Sequence, residues 1–350
     1  MEEWKSLLRD DPTAWLLEDD NPAVRYFALS RLLERADDDP DVVATRQAIN
    51  QSEPVSRLLN AQRPAGYWDR DRRPYHGVSK HLIALEHLGY CGDDARVQKA
   101  IEYLFANAQM DDGVFTAGEL EQGRRGVIPC FTANAVHFLH WFGYGEDERT
   151  HRALNYLLQS QRDDGGWLCS ERVEKTHTCF WATAKALRAL EALPADQQTT
   201  EVQVSRQRAV NLFQDNSLYR HHSEFGKVSP SWFQFARPLF ASTDVMEELE
   251  LVAPFVSPDD ERIQEGLQLV LGKQDSNGRW PAERQIPVKK TFPIPFEEAG
   301  QPSKWVTLSA LSMLKRLCLQ PMQICETDNH YRTDRDLERK DATLFSYRQW

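Results

Sequence analysis

One corner is written repeatedly along this chain. Gln161-Arg-Asp-Asp-Gly165-Gly-Trp167 reads as Q-x-x-x-G-x-W, and the spacing returns at Gln62-Arg-Pro-Ala-Gly66-Tyr-Trp68 and Gln274-Asp-Ser-Asn-Gly278-Arg-Trp280. Gln109-Met-Asp-Asp-Gly113-Val-Phe115 keeps the spacing and exchanges one aromatic for another. Around Gln214-Asp-Asn-Ser-Leu-Tyr219 a degenerate copy is one residue short and lacks the glycine. A glutamine closing a helix can bond backbone groups left unpaired at a helix terminus. The Asp/Asn/Gly cluster then makes the reversal, and glycine supplies the φ > 0 residue. The aromatic covers the turn. One copy would mean little, but copies at intervals of about 50 residues mark a repeated supersecondary unit.

Between corners the pattern settles into pairs of helices. The first of each pair spans His76 to Leu88, Pro129 to Phe142, Thr176 to Leu193, Pro230 to Phe240 and Ser303 to Leu319. The second spans Asp93 to Gln109, Asp147 to Gln161, Glu201 to Gln214 and Pro258 to Gln274. The first set is rich in Trp, Phe, Ala and small residues, whereas the second carries charge. Helices apolar on most sides are buried and those with a charged face lie outside, so an inner and an outer ring of helices is expected. Before the repeats, residues 1–55 form a helical leader. It runs from an amphipathic lead-in at Trp4 to Trp15 through a helix start at Asp20-Asn21-Pro22, with Val24, Phe27, Ala28 and Leu32 following at helical spacing. Residues 56–320 hold the repeats, and residues 321–350 are a tail, polar and aromatic by turns, without a period.

The chain has 350 residues, of which 41% are hydrophobic, with ten Trp and sixteen Phe, enough for one large core or a closed array of repeats. No apolar run approaches the roughly 18 residues of a membrane span. The start, Met-Glu-Glu-Trp-Lys-Ser-Leu-Leu-Arg, is charged and lacks a secretory apolar segment, so a soluble protein in the cytoplasm is expected. The net charge is −11 and no basic stripe offsets it, which argues against a nucleic-acid partner. In that setting the six cysteines read as thiols or metal ligands before disulfides.

The Q-x-x-x-G-x-W copies resemble the repeats of the terpenoid cyclase and protein prenyltransferase superfamily. The chain is most similar to the stand-alone bacterial prenyltransferase/squalene-cyclase repeat proteins over about residues 55 to 320, and Asp20-Asn-Pro-Ala-Val-Arg-Tyr26 looks like that group's leader. The resemblance implies an all-α fold, an α/α toroid of about five to six helical hairpins closed around a central cavity. It also implies an isoprenoid or other apolar small molecule as substrate and leaves room for a protein partner subunit. One fold hosts many activities, so function is argued from residues. The Asp-x-Asp-Asp acid with which class II cyclases protonate an alkene is absent. Asp37-Asp38-Asp39-Pro40-Asp41 matches the Asp-Asp-x-x-Asp of ionisation-type prenyl diphosphate enzymes. Its setting, a polar proline turn between helices, reads instead as a solvated cap.

Sulfur and imidazole form the more informative constellation. Cys130 and Cys179 begin neighbouring first-set helices, Cys169 follows Trp167 in the loop joining them, and Tyr219-Arg-His221-His222 precedes the next. In a toroid these positions share one end. Cys130, Cys169, Cys179 and His222 are therefore expected to bind zinc, with His177 as the competing fourth ligand, or else to pack as free thiols. Prenyltransferases also carry zinc, held by Asp, Cys and His, so the ligand set differs.

His76, Lys80 and His81 open one inner helix as acid/base or anion-binding candidates, or as ordinary helix-start polar groups. Phe180, Trp181, Trp232, Phe235 and Trp305 are candidates to line the cavity, where aromatic faces stabilise cations, or else belong to the core. Arg237, Lys304 and the pair Lys289-Lys290 are candidates for holding a diphosphate. Two readings follow: a terpenoid cyclase- or prenyltransferase-like enzyme with zinc, or a noncatalytic lipid- or peptide-binding toroid with structural zinc.

Overall fold

A computed structural model describes residues 3–68, 75–117, 127–169, 178–220, 230–286 and 292–319. The leader holds a 3-10 turn (Glu3–Leu7), α1 (Thr13–Leu16) and α2 (Pro22–Phe27), which runs on as a π-helical turn (Ala28–Leu32). Asn21 caps α2 through its side chain, with Pro22 in the first turn. Next come α3 (Pro40–Gln51) and α4 (Glu53–Asn60), then a π-helical turn (Tyr75–Ser79) leading into α5 (Lys80–His87) and α6 (Ala95–Ala108). The chain continues through α7 (Pro129–Trp141), α8 (Glu148–Gln159), α9 (Phe180–Glu191) and α10 (Thr200–Asp215). It closes with α11 (Val245–Val252), α12 (Glu261–Gly272) and α13 (Lys304–Cys318). Among the described residues no strand forms, only isolated bridges, two of them within corners.

Helices α5, α7, α9, α11 and α13 touch in succession, and α13 returns to α2 and its π-helical extension, so the inner layer closes on itself. The leader fills the sixth place: Phe27 lies 6.2 Å from both Trp141 and Trp305, ring centre to ring centre. Helices α8, α10 and α12 stand outside, each packed on its inner partner α7, α9 or α11. An Asp caps three of the outer helices (Asp94, Asp147, Asp260) and is gripped by the Arg two residues on.

The corners explain the closure. Three glutamine amides donate to a carbonyl near the start of the next outer helix: Gln62 to Arg96 (2.7 Å), Gln109 to Arg149 (2.7 Å) and Gln161 to Ser205 (2.9 Å). Gln274 has no further outer helix to meet and donates instead to Leu7 of the leader at 3.2 Å. Gly165 has φ +91°, and a Cβ there would strike the Arg208 carbonyl of the adjacent outer helix, so two reasons demand glycine. The aromatics are fully buried, and the indoles of Trp68, Trp167 and Trp280 donate to Leu58, Leu157 and Val270 at 2.6–2.8 Å. Three of the backbone amides at these aromatics meet a threonine on the following inner helix, Phe115 with Thr132, Trp167 with Thr183 and Trp280 with Thr307, whereas that of Trp68 donates to the Gly77 carbonyl.

The fourth inner helix departs from the sequence expectation. Pro230–Phe233 is only a 3-10 turn, and the helix begins at Val245. Pro238 falls inside the expected span, where it removes an amide donor and crowds the preceding turn. Phe240 then takes φ +46°, and its carbonyl is held by Asn134 at 3.1 Å. The helix starts only where Asp244 accepts from the Glu247 amide at 2.9 Å. The apolar residues of 232–240 thus belong to a packed irregular segment. Asp39 caps α3, as the polar-turn reading of 37–41 requires.

Candidate functional site

A cavity of about 1120 Å³ lies inside the ring, towards the carboxyl ends of the inner helices. Its apolar lining is Phe27, Ile83, Trp141, Leu251, Trp305 and Leu308. Charged side chains are interspersed with these, as with Arg31 over the Phe27 ring. Glu86 of α5 accepts from His137 Nδ1 of α7 (3.0 Å) and from Arg188 of α9 (2.9 Å). Arg188 reaches on to Glu247 of α11 at 3.7 Å, and Glu247 takes both carboxylate oxygens to the buried Lys185 ammonium at 2.8 and 2.7 Å. Arg237 pairs with Asp244 at 2.6 Å and donates to Ser309 at 3.0 Å. The network crosses four inner helices. Glu86, Lys185, Glu247, Arg237 and Asp244 are buried, each against an opposite charge, the condition under which a protein interior tolerates ions, and the partly exposed Arg188 bridges Glu86 and Glu247.

Burial alone would raise the Glu86 pKa, but His137 and the Arg188 guanidinium outweigh it and hold the carboxyl at about 2. Burial lowers His137, with Glu86 opposing, so the imidazole is neutral at pH 7. With Glu86 ionised, the contact requires the proton on Nδ1, which leaves the Nε2 lone pair as a base. Burial and then the nearby Arg188 and Arg237 lower His87 to about 3, and its ring stacks on Trp305 at 3.8 Å.

Of the residues singled out in the sequence, Arg237 and Trp305 line this cavity. Phe180 and Trp232 meet edge-on at 6.4 Å in the core, and Phe235 is buried beneath the Lys273 ammonium. Trp181 is 38% exposed. Lys304 is turned to the leader, paired with Glu18 at 2.8 Å and with Asp20. His81 is sandwiched between Trp68 (4.9 Å) and Phe292 (4.6 Å), and the Lys80 ammonium lies over Phe240. The side chain of His76, and Lys289-Lys290, lie outside the described residues. Glu86, His137, Arg188 and Glu247 were not anticipated. The signal for them was charge on helices otherwise composed of Ala, Leu, Val and Phe.

The thiols occupy the opposite end, at the starts of α7 and α9. The Cys169 and Cys179 side chains are hydrogen-bonded, Cys130 lies within electrostatic reach of both, and the Tyr75 hydroxyl bonds Cys130. Burial pushes Cys130 up to about 11. The Cys169 contact, then burial, raises Cys179. Among the described residues no group of three or more His, Cys, Asp or Glu is arranged to hold a metal ion. His222 and the competing His177 lie outside those residues. Among the described residues, too, no helix is long and apolar enough to cross a membrane.

No family model matches the sequence, and no curated protein matches it. Among solved structures, a protein from Actinoplanes is similar at 16% identity and a TM-score of 0.45, covering 90% of this chain and 98% of that one. A variant of the type II terpene cyclase MstE from Scytonema, in complex with its substrate geranylgeranyl dihydroxybenzoate, is similar at 16% identity and a TM-score of 0.45, covering 84% and 86%. Ligand-free MstE is similar at 16% identity and 0.44, covering 85% and 87%.

Proposed function

We propose that the central cavity receives an isoprenoid or similarly apolar substrate, and that the chain is a terpenoid cyclase- or prenyltransferase-like enzyme in which His137 moves a proton. One observation carries this reading: the aromatic rings of Phe27, Trp141 and Trp305 line the same cavity as a histidine–carboxylate pair. Aromatic faces favour a developing cation, and a neutral imidazole oriented by a carboxylate is suited to accept a proton from one or from an attacking nucleophile. The sequence has no Asp-x-Asp-Asp acid, so a base-assisted step fits better than alkene protonation.

At the other rim, Cys130, Cys169 and Cys179, with His222 or His177 as fourth ligand, are read as a zinc site. The donor chemistry supports this: three sulfurs lie near one end of the ring, and a cation converts thiols such as Cys130 and Cys179, whose pKa values are raised, to thiolates. Four protein ligands would make the ion structural, whereas three plus water would leave a Lewis-acid position.

The test is titration of farnesol and geranylgeraniol against intrinsic tryptophan fluorescence, followed by turnover assays of prenyl substrates with native protein and His137→Ala. Saturable quenching, with turnover falling at least about 100-fold in the variant, is expected for a general base. A second reading, a noncatalytic binding toroid with structural zinc, is favoured by the pairing of most charged groups in the lining. Binding without turnover in either protein would select it.

A further inference from the structure

The paired charges leave a residue. Arg31 lies on the π-helical turn Ala28–Leu32, a geometry that often marks a functional position, and its guanidinium opens onto the cavity. It stacks over Phe27 at 4.2 Å, and Glu250 and Glu86 act on it electrostatically without an ion-pair contact among the described residues. Two further donors or acceptors face the same space without a hydrogen-bond partner among the described residues: His87 Nε2 and the hydroxyl of Ser312, which is only 5% exposed. Arg188, Arg237 and Arg316 also line this space, each already committed to a carboxylate. An exposed guanidinium without an ion-pair partner among the described residues, on a solvent-open cavity that the unpartnered Ser312 hydroxyl and His87 Nε2 also line, offers the donors an oxyanion needs.

We propose that Arg31, with Ser312 and His87, binds the anionic head of the cavity's ligand, a carboxylate or phosphate group, while the aromatic rings take the apolar body. The proposal deepens the cavity reading above and rests on it for the apolar body only. A fork of two parallel N–H donors meets two oxygens of a carboxylate or phosphate, and the Ser312 hydroxyl supplies a third donor. An uncharged alcohol would forgo the charge-assisted bonds that a guanidinium makes to two anionic oxygens, and would bind less tightly.

Farnesoic acid, farnesyl phosphate and farnesol share one body and differ in the head, so each is titrated by calorimetry against native protein, Arg31→Gln and Arg31→Lys. Inorganic phosphate serves as the head alone. At least one acid is expected to bind native protein about tenfold or more tighter than farnesol, the difference disappearing in Arg31→Gln and partly returning in Arg31→Lys. Comparison of the two acids assigns the head. If no farnesyl compound binds while phosphate binds in an Arg31-dependent manner, the apolar-substrate reading fails and the anion site stands. Equal affinity for acids and farnesol in native protein, or a preference that survives in a folded Arg31→Gln variant of unchanged Tm, would overturn the proposal.

Discussion

The side-chain amide of Gln274 donates to the Leu7 carbonyl across 267 residues of sequence, at 3.2 Å. The same side chain accepts from the Arg9 amide at 2.8 Å, and the Gln274 backbone carbonyl accepts from the Arg9 guanidinium. Leu7 thus stands where Arg96, Arg149 and Ser205 stand at the other corners, and the leader serves as the missing outer neighbour. Gln274→Ala leaves the Arg9 amide without its acceptor and is expected to cost roughly 1–3 kcal/mol. Because the lost bonds hold the leader, limited proteolysis should cut within residues 1–20 sooner than elsewhere. Gln161→Ala, which removes an internal corner bond, should lower Tm without that selective cleavage.

The threonines on the inner helices give a second prediction. Thr183 accepts from the Trp167 amide and donates to the Cys179 carbonyl at 2.9 Å, joining a corner to the helix that follows. Thr183→Val keeps the shape and removes the acceptor, leaving a buried amide unsatisfied. A loss of roughly 1–3 kcal/mol in chemical denaturation is expected, with Thr183→Ser recovering most of it.

The ring was legible because its corners are local: glutamine, turn, glycine and aromatic lie within seven residues, and the four copies that keep the spacing repeat nearly the same physical solution. The convergence of Cys130, Cys169 and Cys179 followed from the same periodicity, since equivalent positions on neighbouring inner helices share an end. The cavity was not legible in that way. Glu86, His137, Arg188 and Glu247 sit on four separate helices, and their pairing depends on helix rotation and depth, which no local pattern fixes. Lys304 illustrates the converse. It begins an inner helix, as a cavity residue would, yet it points to Glu18 and Asp20 because the leader occupies the neighbouring place.

Acid should weaken the cavity network in a defined window. Burial opposes ionisation of Glu86, but His137 and Arg188 bring it from 4.5 to about 2 in the folded chain. A carboxyl with a lowered folded pKa contributes stability above its unfolded value, and that contribution is lost as pH falls through the folded one. The window is therefore from about pH 4.5 down to pH 2, with a contribution on the order of 3 kcal/mol. Glu86→Gln should be less stable than native protein at pH 7 and should show a flatter stability profile below pH 4.5, measured by urea denaturation.

The thiol end is tested by removing one sulfur. Native protein purified without chelator is expected to carry about one zinc per chain, and Cys169→Ser to lose most of it by elemental analysis, because zinc prefers sulfur in such sites. A fall in Tm accompanying the loss assigns a structural ion. Unchanged Tm with lost turnover assigns an open catalytic one. Zinc-free native protein would exclude the site.

Glu248 supplies the last prediction, because it lies in the same helix as Glu247 and has none of its partners. It is fully buried, and neither carboxylate oxygen has a hydrogen-bond partner among the described residues. Burial, then the negative charges of Glu247 and Asp244, raise its pKa well above 4.5, with Lys185 opposing. A carboxyl protonated in the folded chain but ionised in the unfolded one lowers stability as pH climbs above the unfolded pKa, the reverse of the Glu86 case. Glu248→Met removes both the titration and the unsatisfied polar atoms while keeping similar bulk. It is expected to stabilise the fold by roughly 1–3 kcal/mol at pH 8, the penalty for an unpaired buried polar group, and by less at pH 5. Thermal melts of both proteins across that range check the sign: a gain that shrinks with rising pH would mean that Glu248 is ionised and paired in the folded chain.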